Sequence, residues 1–268
     1  MDWIEFLKYI LLGIVQGACE ILPISSSGHL VLAYALLGFE EVNLAFSVFL
    51  HFASLIAALI FLRKQVWRIL KGSALYLFKK DQEQKNNFHY LLLLIISTAV
   101  TAVIGLIFKD QMAKLSSVAF VGIALIINGF WILIFDHLKG ERRIDDLPLW
   151  KALIIGLGQG VGVLPGISRS GATIGTSICV GLKKEDAAEY AFLLFLPITL
   201  GATILEVQDL LTVDKNLIPA YIAGFVLAFL TTYLALVFFL KIIRKRRLLP
   251  FAIYCFIVGL TATLVAFL

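Results

Sequence analysis

Two short stretches of the chain carry residue types that could handle a phosphate group. An acid, Glu20, and an imidazole, His29, lie in the first stretch, and a guanidinium, Arg169, lies in the second, each among several serines. A guanidinium and oriented N–H groups can stabilise charge on a transferring phosphoryl group, while an imidazole or a carboxylate can move protons or activate a nucleophile. These residue types therefore favour phosphoryl chemistry.

The two stretches are copies of one motif. The run GIVQGACEILPISSSGH begins at Gly13, and GLGQGVGVLPGISRSGA begins 143 positions later, at Gly156. The residues that they share are polar or turn-forming rather than hydrophobic filler. Each copy contributes different chemistry to this internal repeat, since the acid and the imidazole lie on one copy and the guanidinium on the other.

Each of these residues also has a purely structural interpretation. Glu20 and Arg169 could form an ion pair that only stabilises the fold, and serines at helix starts most often serve as caps. A functional role is favoured for Glu20 and His29, because an ionisable residue in an apolar run must be paired, neutralised or coordinated. For His51 a helix-packing hydrogen bond is favoured, and His51 is predicted to lie outside the site.

The composition places the chain in a membrane. Hydrophobic residues make up 60% of it and charged residues 15%, with a mean hydropathy of +0.96, so polar surface is too scarce to cover a soluble globule. No basic face with interleaved aromatics accompanies the net charge of +5, so nucleic acid is not an expected partner. The three cysteines show no disulfide or metal-binding spacing. We predict one membrane domain, 1–268, and an amphiphilic substrate whose tail lies in the bilayer.

Six apolar runs are long enough to cross the roughly 30 Å hydrocarbon core, which takes about 20 helical residues. They fall near 42–62, 90–108, 117–135, 187–205, 217–240 and 249–268. Two further apolar regions, about 3–39 and 150–182, are interrupted by the repeated Pro-Ser-Gly clusters, so each is predicted to be a re-entrant pair of half-helices. Irregular backbone at membrane depth must be buried in protein or line a wet cavity. The two breaks are therefore predicted to share one polar pocket.

Basic residues predict the orientation of the chain. They concentrate in the first long loop, around the second broken region and in the last loop, and the positive-inside rule makes these regions cytoplasmic and both termini external. The residues concerned are Arg63, Lys64, Arg68, Lys71, Lys79, Lys80, Lys85, Lys139, Arg142, Arg143, Lys151, Lys183, Lys184, Lys241, Arg244, Lys245, Arg246 and Arg247.

The span count then predicts an inverted repeat. Three full spans separate the two broken regions, so these regions enter from opposite faces, and the halves, approximately 1–136 and 150–268, have inverted topology. Such repeats bring half-helix N-termini together near the midplane, where they can point at an anion. The predicted fold class is an all-α polytopic membrane protein with six transmembrane helices and two re-entrant helix pairs.

The motifs resemble those of a known family. QGACEILPISSSGH resembles the Glu/Gln-x-x-x-Glu and Pro-x-Ser-Ser-x-Gly-His motifs of the bacitracin-resistance type undecaprenyl diphosphatases, and LPGISRSGATI resembles their Pro-Gly-x-Ser-Arg-Ser-Gly-Ala-Thr motif. The run from Pro250 to Tyr254 is similar to theirs as well, and the resemblance covers the whole chain in length and span pattern.

This resemblance implies a hydrolase of the bacterial cytoplasmic (inner) membrane. Its members convert undecaprenyl diphosphate to undecaprenyl phosphate and inorganic phosphate, which recycles the lipid carrier for cell-wall synthesis and confers bacitracin resistance. Together with the charge count, it also implies an active site that faces the outer side. The oligomeric state is left open, a homo-oligomer being one alternative.

Carried onto this sequence, the resemblance implies a set of site residues. The catalytic residues would be Glu20, Ser26, His29 and Arg169. The substrate-binding residues would be Gln16, Ser25, Ser27, Ser168, Ser170 and Thr173. The nucleophile is Ser26 or His29; Ser26 is favoured, with His29 activating or orienting it. A divalent cation, Mg or Ca, is implied as cofactor, with Glu20 as the best candidate ligand; because Gln16 is an amide, a two-carboxylate metal site is not expected.

Two other functions share features with this pattern. The other common class of membrane lipid phosphatases continues from Ser-Arg to a histidine and an aspartate, but Gly175 and Cys179 occupy those positions here. A secondary transporter or flippase for a phosphorylated lipid or an anion would use the same inverted repeats and broken helices. A Ser-x-x-His pair beside an acid favours hydrolysis over transport.

Overall fold

The computed structural model describes residues 2–39, 43–206, 215–244 and 248–268, and α-helices account for most of them. The helices are α1 (Trp3–Ile21), α2 (Ser26–Leu36), α3 (Leu44–Lys79), α4 (Lys85–Lys114), α5 (Val118–His137), α6 (Leu149–Val161), α7 (Arg169–Cys179), α8 (Lys184–Leu205), α9 (Ile218–Arg244) and α10 (Leu249–Phe267). This confirms the all-α prediction, which follows from the need of a lipid-embedded chain to satisfy its backbone hydrogen bonds internally.

Six helices in the described part of the chain are long and apolar enough to cross a membrane. They are α3, α4, α5, α8, α9 and α10, and they correspond to the six predicted runs. The four remaining helices, α1, α2, α6 and α7, form the two regions in which the sequence predicts interrupted helices.

The first predicted loop is mostly helical, which corrects the sequence-based assignment. The basic residues from Arg63 to Lys79 continue α3, which is 36 residues long, and only a short connection separates it from α4. A helix of that length extends about 54 Å, well beyond the hydrocarbon core. Lysine and arginine are good helix formers, so the helix continues past the apolar span. Lys241 and Arg244 likewise belong to α9, whereas 245–247 lie outside the described residues.

Both interrupted regions are broken where the Pro-Ser-Gly clusters lie. The first break covers 22–25 and the second 162–168. Backbone with positive φ occurs in each break, at Ser25 (70°) and at Gly166 (89°), so neither break can continue the preceding helix. These turns direct the starts of α2 and α7 into the interior of the protein.

Part of the helix packing repeats between the two halves of the chain, although the contact of α7 with α8 has no comparable counterpart between α2 and α3. Helices α1 to α5 of the first half correspond in order to α6 to α10 of the second. The contact of α1 with α9 then corresponds to that of α6 with α4, and the contact of α3 with α9 corresponds to that of α8 with α4. The pairs α3–α8 and α5–α10 correspond to themselves. This pattern is the one expected of an internal repeat; the inverted orientation of the halves and the re-entry of the broken pairs stay predictions.

Candidate active site

The carboxylate of Glu20 is the centre of a buried polar cluster at the two breaks. Glu20 lies in the last turn of α1, and its side chain is only 1% exposed. Its Oε1 accepts a hydrogen bond from Arg169 Nη2 at 2.6 Å. Its Oε2 accepts one from Ser26 Oγ at 2.5 Å and one from Gln16 Nε2 at 2.7 Å. The fold thus brings together four of the residues that the sequence singles out, from both copies of the motif.

His51 belongs to this cluster, so the prediction that places it outside the site is wrong. Its Nδ1 lies 2.9 Å from Gln16 Nε2 and 3.3 Å from Glu20 Oε2. It does join α3 to α1 by a hydrogen bond, as the structural interpretation supposed, but the partner residue is part of the site. A sequence signal was present, because an ionisable residue inside an apolar span is a functional candidate by default.

Arg169 is the first residue of α7 and retains hydrogen-bonding capacity beyond its ion pair. Its guanidinium carbon lies 5.1 Å from the centre of the Phe195 ring, a cation–π contact that fixes its plane, and its side chain is 21% exposed. Arginine carries five N–H donors, and the contact with Glu20 uses one of them. The rest of the fork can bind an anion.

Two serines cap the helices that begin at the breaks. Ser25 Oγ accepts a hydrogen bond from the N–H of Gly28 at 3.3 Å, and Ser168 Oγ accepts one from the N–H of Gly171 at 3.0 Å. The structural interpretation of these serines as caps is therefore confirmed. Capping does not exclude ligand binding, because a helix N-terminus presents further N–H groups to an anion.

The two breaks also bind directly to each other. Ser170 Oγ donates to the carbonyl of Leu22 at 3.1 Å, and Ser168 Oγ does so at 3.4 Å. Asn128, on α5, contacts both breaks through its side-chain amide. Asn128 was missed in the sequence, where it is a lone polar residue in an apolar run. These contacts satisfy irregular backbone at membrane depth, as the burial argument requires.

His29 is held by groups other than the carboxylate. Its Nδ1 donates to the carbonyl oxygen of Ser25 at 2.8 Å. Its Nε2, an acceptor in that tautomer, lies 2.9 Å from the hydroxyl of Tyr254, and the two rings stack with centroids 5.4 Å apart. Both ring nitrogens are therefore engaged away from Ser26. Tyr254 was missed as a site residue, although it lies in the run from Pro250 that resembles the family.

A cavity of about 140 Å³ opens beside the cluster. Its lining consists of Glu20, Ser25, Ser26, Ser27, His51, Gly162, Val163, Ile167, Ser168 and Arg169. Three of the predicted substrate-binding serines, Ser25, Ser27 and Ser168, therefore face one space together with the catalytic candidates Glu20, Ser26 and Arg169, whereas His29 is not part of this lining.

The other predicted substrate-binding residues lie around this space rather than in it. Ser170 and Thr173 line a second, much smaller cavity, about 10 Å³, which Glu20 and Arg169 also border. The hydroxyl of Thr173 donates to the carbonyl of Arg169 at 2.7 Å. Gln16 is fully buried and reaches only the cluster.

A larger cavity, about 420 Å³, lies between the end of α5 and the start of α8. Its lining mixes acidic and basic side chains, among them Asp136, Lys139, Glu141 and Lys183, and contains none of the motif residues. The cavity beside Glu20 is therefore the better candidate site, despite its smaller volume.

The donor set around Glu20 does not fit a metal ion that protein atoms hold alone. Within the described ranges, no three His, Cys, Asp or Glu side chains are grouped as such a site requires. Glu20 is the one carboxylate of the cluster, and both of its oxygens already accept hydrogen bonds. An unused acceptor is Gln16 Oε1, which is buried without a partner. This set fits a cation that takes most of its ligands from phosphate and water.

Comparison with known proteins agrees with the resemblance of the motifs. Residues 9–261 match the family model described as bacitracin resistance protein BacA. The chain is 40% identical over 257 residues to undecaprenyl-diphosphatase 3 of Bacillus anthracis, covering 94% of this chain and 95% of the relative. It is 39% identical to undecaprenyl-diphosphatase of Oceanobacillus iheyensis (94% and 93% covered) and 36% identical to undecaprenyl-diphosphatase 1 of Shouchella clausii (96% and 95% covered).

Proposed function

The chain belongs to the BacA bacitracin resistance family, and on that premise we propose that it is a membrane undecaprenyl-diphosphate phosphatase. It hydrolyses the phosphoric anhydride of undecaprenyl diphosphate, releases inorganic phosphate and returns undecaprenyl phosphate for cell-wall synthesis. By this reaction it contributes to bacitracin resistance. The observation that carries the proposal is the Glu20 carboxylate, which binds a serine hydroxyl and a guanidinium beside one cavity.

The contacts of Glu20 support attack by Ser26 with Glu20 as the base. The hydroxyl of Ser26 already donates to Glu20 Oε2, so the carboxylate is placed to take that proton when Oγ attacks the terminal phosphorus. The P–O bond to the bridging oxygen then breaks, and undecaprenyl phosphate leaves. Water hydrolyses the phosphoserine, which releases inorganic phosphate and restores the hydroxyl. Arg169 donates to the non-bridging oxygens and stabilises their charge.

His29 has a different role in this scheme from the one expected from the sequence. Because both of its nitrogens are bonded to Ser25 and Tyr254, His29 holds the first turn of α2 in place and orients Ser26 through the backbone. The expectation that His29 orients the nucleophile is retained, and the expectation that it activates the nucleophile is transferred to Glu20.

The divalent cation that the resemblance implies would be held by the diphosphate and by Glu20. Mg²⁺ characteristically keeps several waters and binds through one or two carboxylates plus substrate phosphates. When bound, it would neutralise phosphate charge. Ser25, Ser26 and Ser27 lie around the same cavity as Glu20 and are placed to bind the remaining phosphate oxygens.

The six candidate spans make the protein a multi-pass membrane protein. We place it in the bacterial cytoplasmic membrane with the basic connections inside and the cavity facing the outer side. This orientation rests on the distribution of lysine and arginine together with the family resemblance. The names of the relatives favour a hydrolase over the transporter or flippase alternative.

The direct test is phosphate release from undecaprenyl diphosphate by the purified, folded protein in detergent with Mg²⁺ or Ca²⁺. We expect one phosphate per lipid, loss of release in Arg169→Ala and His29→Ala, and no release from undecaprenyl phosphate. A folded wild-type protein that releases no phosphate would overturn the proposed activity. Full activity in both variants would overturn the proposed site.

A further inference from the structure

The buried side chain of Asn128 contacts both helix breaks. It lies near the middle of α5, is 1% exposed, and belongs to neither copy of the repeated motif. Its Nδ2 donates to the carbonyl of Pro23 at 2.9 Å, and its Oδ1 accepts from the N–H of Ser168 at 3.0 Å. One side-chain amide therefore binds the backbone of both helix breaks.

The two backbone groups that Asn128 binds lie outside regular helices. Pro23 is in the break after α1, and Ser168 is the residue before α7. Neither group takes part in the i to i−4 hydrogen bonds of a helix, and an unsatisfied buried peptide group is strongly unfavourable. The planar amide of asparagine, with a donor and an acceptor on the same carbon, can satisfy one group of each sign at a fixed separation.

The same two groups are close in sequence to the charged pair of the site. Pro23 follows Glu20 by three residues, and Ser168 directly precedes Arg169. The relative position of the two breaks therefore decides where the guanidinium lies with respect to the carboxylate. The other direct contacts between the breaks, from Ser168 and Ser170 to the carbonyl of Leu22, are longer, at 3.4 and 3.1 Å.

Asn128 also contacts the helix that holds His29. Its Nδ2 lies 3.4 Å from the sulfur of Cys255, on α10, next in sequence to Tyr254. Tyr254 is the residue that binds His29 Nε2. A single buried amide thus touches the first break, the second break and the element behind the imidazole.

We propose that Asn128 is a positioning residue for diphosphate hydrolysis, which sets the distance and angle between the Ser26–Glu20 pair and the Arg169 guanidinium. This inference rests on the proposed function. Asn128 touches no reacting atom; it acts through the backbone of the two breaks. A displacement of about 1 Å in such a site can lower the rate about 100-fold. Loss of the Asn128 amide is therefore expected to lower kcat more than it weakens substrate binding.

The experiment compares Asn128→Ala with a matched control, Ser73→Ala, in purified protein in detergent. Ser73 is 2% exposed and lies about 33 Å along α3 from His51; its hydroxyl donates to the carbonyl of Ile69, one turn earlier, at 2.6 Å and lies 3.1 Å from the carbonyl of Asn87 on α4. Both substitutions remove a buried hydrogen-bonding side chain, and thermal unfolding measures what each costs in stability. We expect kcat to fall about tenfold or more in Asn128→Ala, with KM changed less than about threefold, and to stay within about twofold in Ser73→Ala.

A second variant, Asn128→Asp, separates positioning from general loss of packing. A protonated carboxyl can donate to Pro23 and accept from Ser168, whereas a carboxylate can only accept. The titratable group in contact with Asn128 is the thiol of Cys255, on α10, and the charged residue Arg169 follows Ser168 in the sequence. We expect the kcat of Asn128→Asp, relative to wild type at the same pH, to rise as pH falls from about 8 to about 5.

The outcomes distinguish this inference from the proposed activity. Wild-type protein without phosphatase activity would refute the activity itself. An active wild type together with an Asn128→Ala variant whose kcat lies within about twofold of it would refute the positioning role, as would an equal loss in Ser73→Ala. A kcat ratio for Asn128→Asp that does not change with pH would refute the role of the amide as a simultaneous donor and acceptor, and this holds even where Asn128→Ala does not fold.

Discussion

At the scale of single residues, Glu20 is a carboxylate that the fold buries almost completely. A carboxylate that is almost fully buried is tolerated only when it is paired and hydrogen-bonded, and Glu20 meets both conditions through Arg169, Ser26 and Gln16. The ion pair that the sequence presents as the structural alternative therefore lies within the proposed site. One of its oxygens serves the guanidinium and the other serves the serine hydroxyl.

Glu20→Gln tests the charge of this side chain at nearly constant shape. We expect phosphate release to fall by roughly 10²–10⁴-fold, because an amide cannot take the proton of Ser26. The variant is also expected to be less stable by about 3–5 kcal/mol, since Arg169 loses its counter-charge in a buried position. Kinetics and thermal unfolding in detergent measure the two effects. The control is Glu189→Gln, whose pair with Arg68 at 3.5 Å is partly exposed and is expected to contribute about 0–1 kcal/mol. Equal activity of Glu20→Gln and wild type would exclude Glu20 as the base.

Arg169→Lys tests whether the planar fork matters beyond its charge. A lysine ammonium can pair with Glu20 but cannot bind the carboxylate and a phosphate with the fixed geometry of a guanidinium. We expect folding to be retained and kcat to be lowered, with a larger loss, on the order of 10²–10³-fold, in Arg169→Ala. Phosphate release at saturating substrate is the measurement. A lysine variant as active as wild type would show that a point charge is sufficient.

Removal of divalent cations tests the expectation about the cofactor. The described site offers a single carboxylate, so the affinity for a cation should depend on the bound diphosphate. Chelation is expected to lower phosphate release to background, and Mg²⁺ or Ca²⁺ in excess to restore it, without a change in the unfolding temperature of the substrate-free protein. Activity that persists after exhaustive chelation would contradict the cofactor assignment. A large loss of stability on chelation would instead indicate a structural metal.

At the scale of elements, the close approach of the two breaks positions the site. A Cβ atom on Gly28, in the first turn of α2, would lie 2.9 Å from the Cα of Gly166 and 3.1 Å from its nitrogen. Gly166 itself has a φ of 89°, which favours glycine. Backbone therefore meets backbone here, and no side chain can yield space. This contact explains the glycine at position 28, which follows the serines of the first copy.

Gly28→Ala should separate the two breaks without a change in any polar side chain. We expect a loss of about 1–3 kcal/mol in stability from the forced contact, and a fall in kcat of about tenfold or more as Arg169 moves relative to Ser26. The matched control is Gly105→Ala in α4, where an added Cβ meets no atom within 4 Å and both quantities should stay near those of wild type. Unfolding temperature and phosphate release are compared for the two. Normal kcat in Gly28→Ala would mean that the site tolerates displacement of the breaks.

At the scale of the whole molecule, the two halves contribute different numbers of residues to the proposed site. Some equivalent helix pairs pack in similar ways, yet Glu20, Ser26 and His29 come from the first broken pair and Arg169 from the second. Both broken pairs therefore contribute residues to one proposed site.

The predicted orientation can be tested by cysteine labelling. In a Cys179→Ser background, which removes an exposed native thiol, Leu36→Cys at the end of α2 and Lys139→Cys after α5 mark opposite predicted faces. An impermeant thiol reagent added to intact cells should label Leu36→Cys only, and Lys139→Cys should react after permeabilisation. Each variant must retain phosphate release to be interpreted. The reverse labelling pattern would invert the topology and turn the cavity towards the cytoplasm.

The amino-acid sequence alone determined the membrane setting, the six spans, the two interrupted regions and most of the residues around the cavity. These features are strongly encoded because the bilayer demands long apolar helices, because proline and glycine interrupt such helices locally, and because polar residues are conspicuous in apolar runs. The sequence did not predict the extension of α3 to Lys79. A charged stretch after an apolar span is typical of a connecting loop, although lysine and arginine are also good helix formers.

Only the tertiary structure decided which of these residues touch. It placed His51 against Gln16 and Glu20, engaged His29 with Tyr254 instead of with Ser26, and put Asn128 between the two breaks. Such contacts join positions 30 to more than 200 residues apart, as His51 with Gln16 (35 apart) and His29 with Tyr254 (225 apart) illustrate. They depend on how packed helices rotate and shift against each other, and no local pattern in one stretch of sequence encodes that rotation.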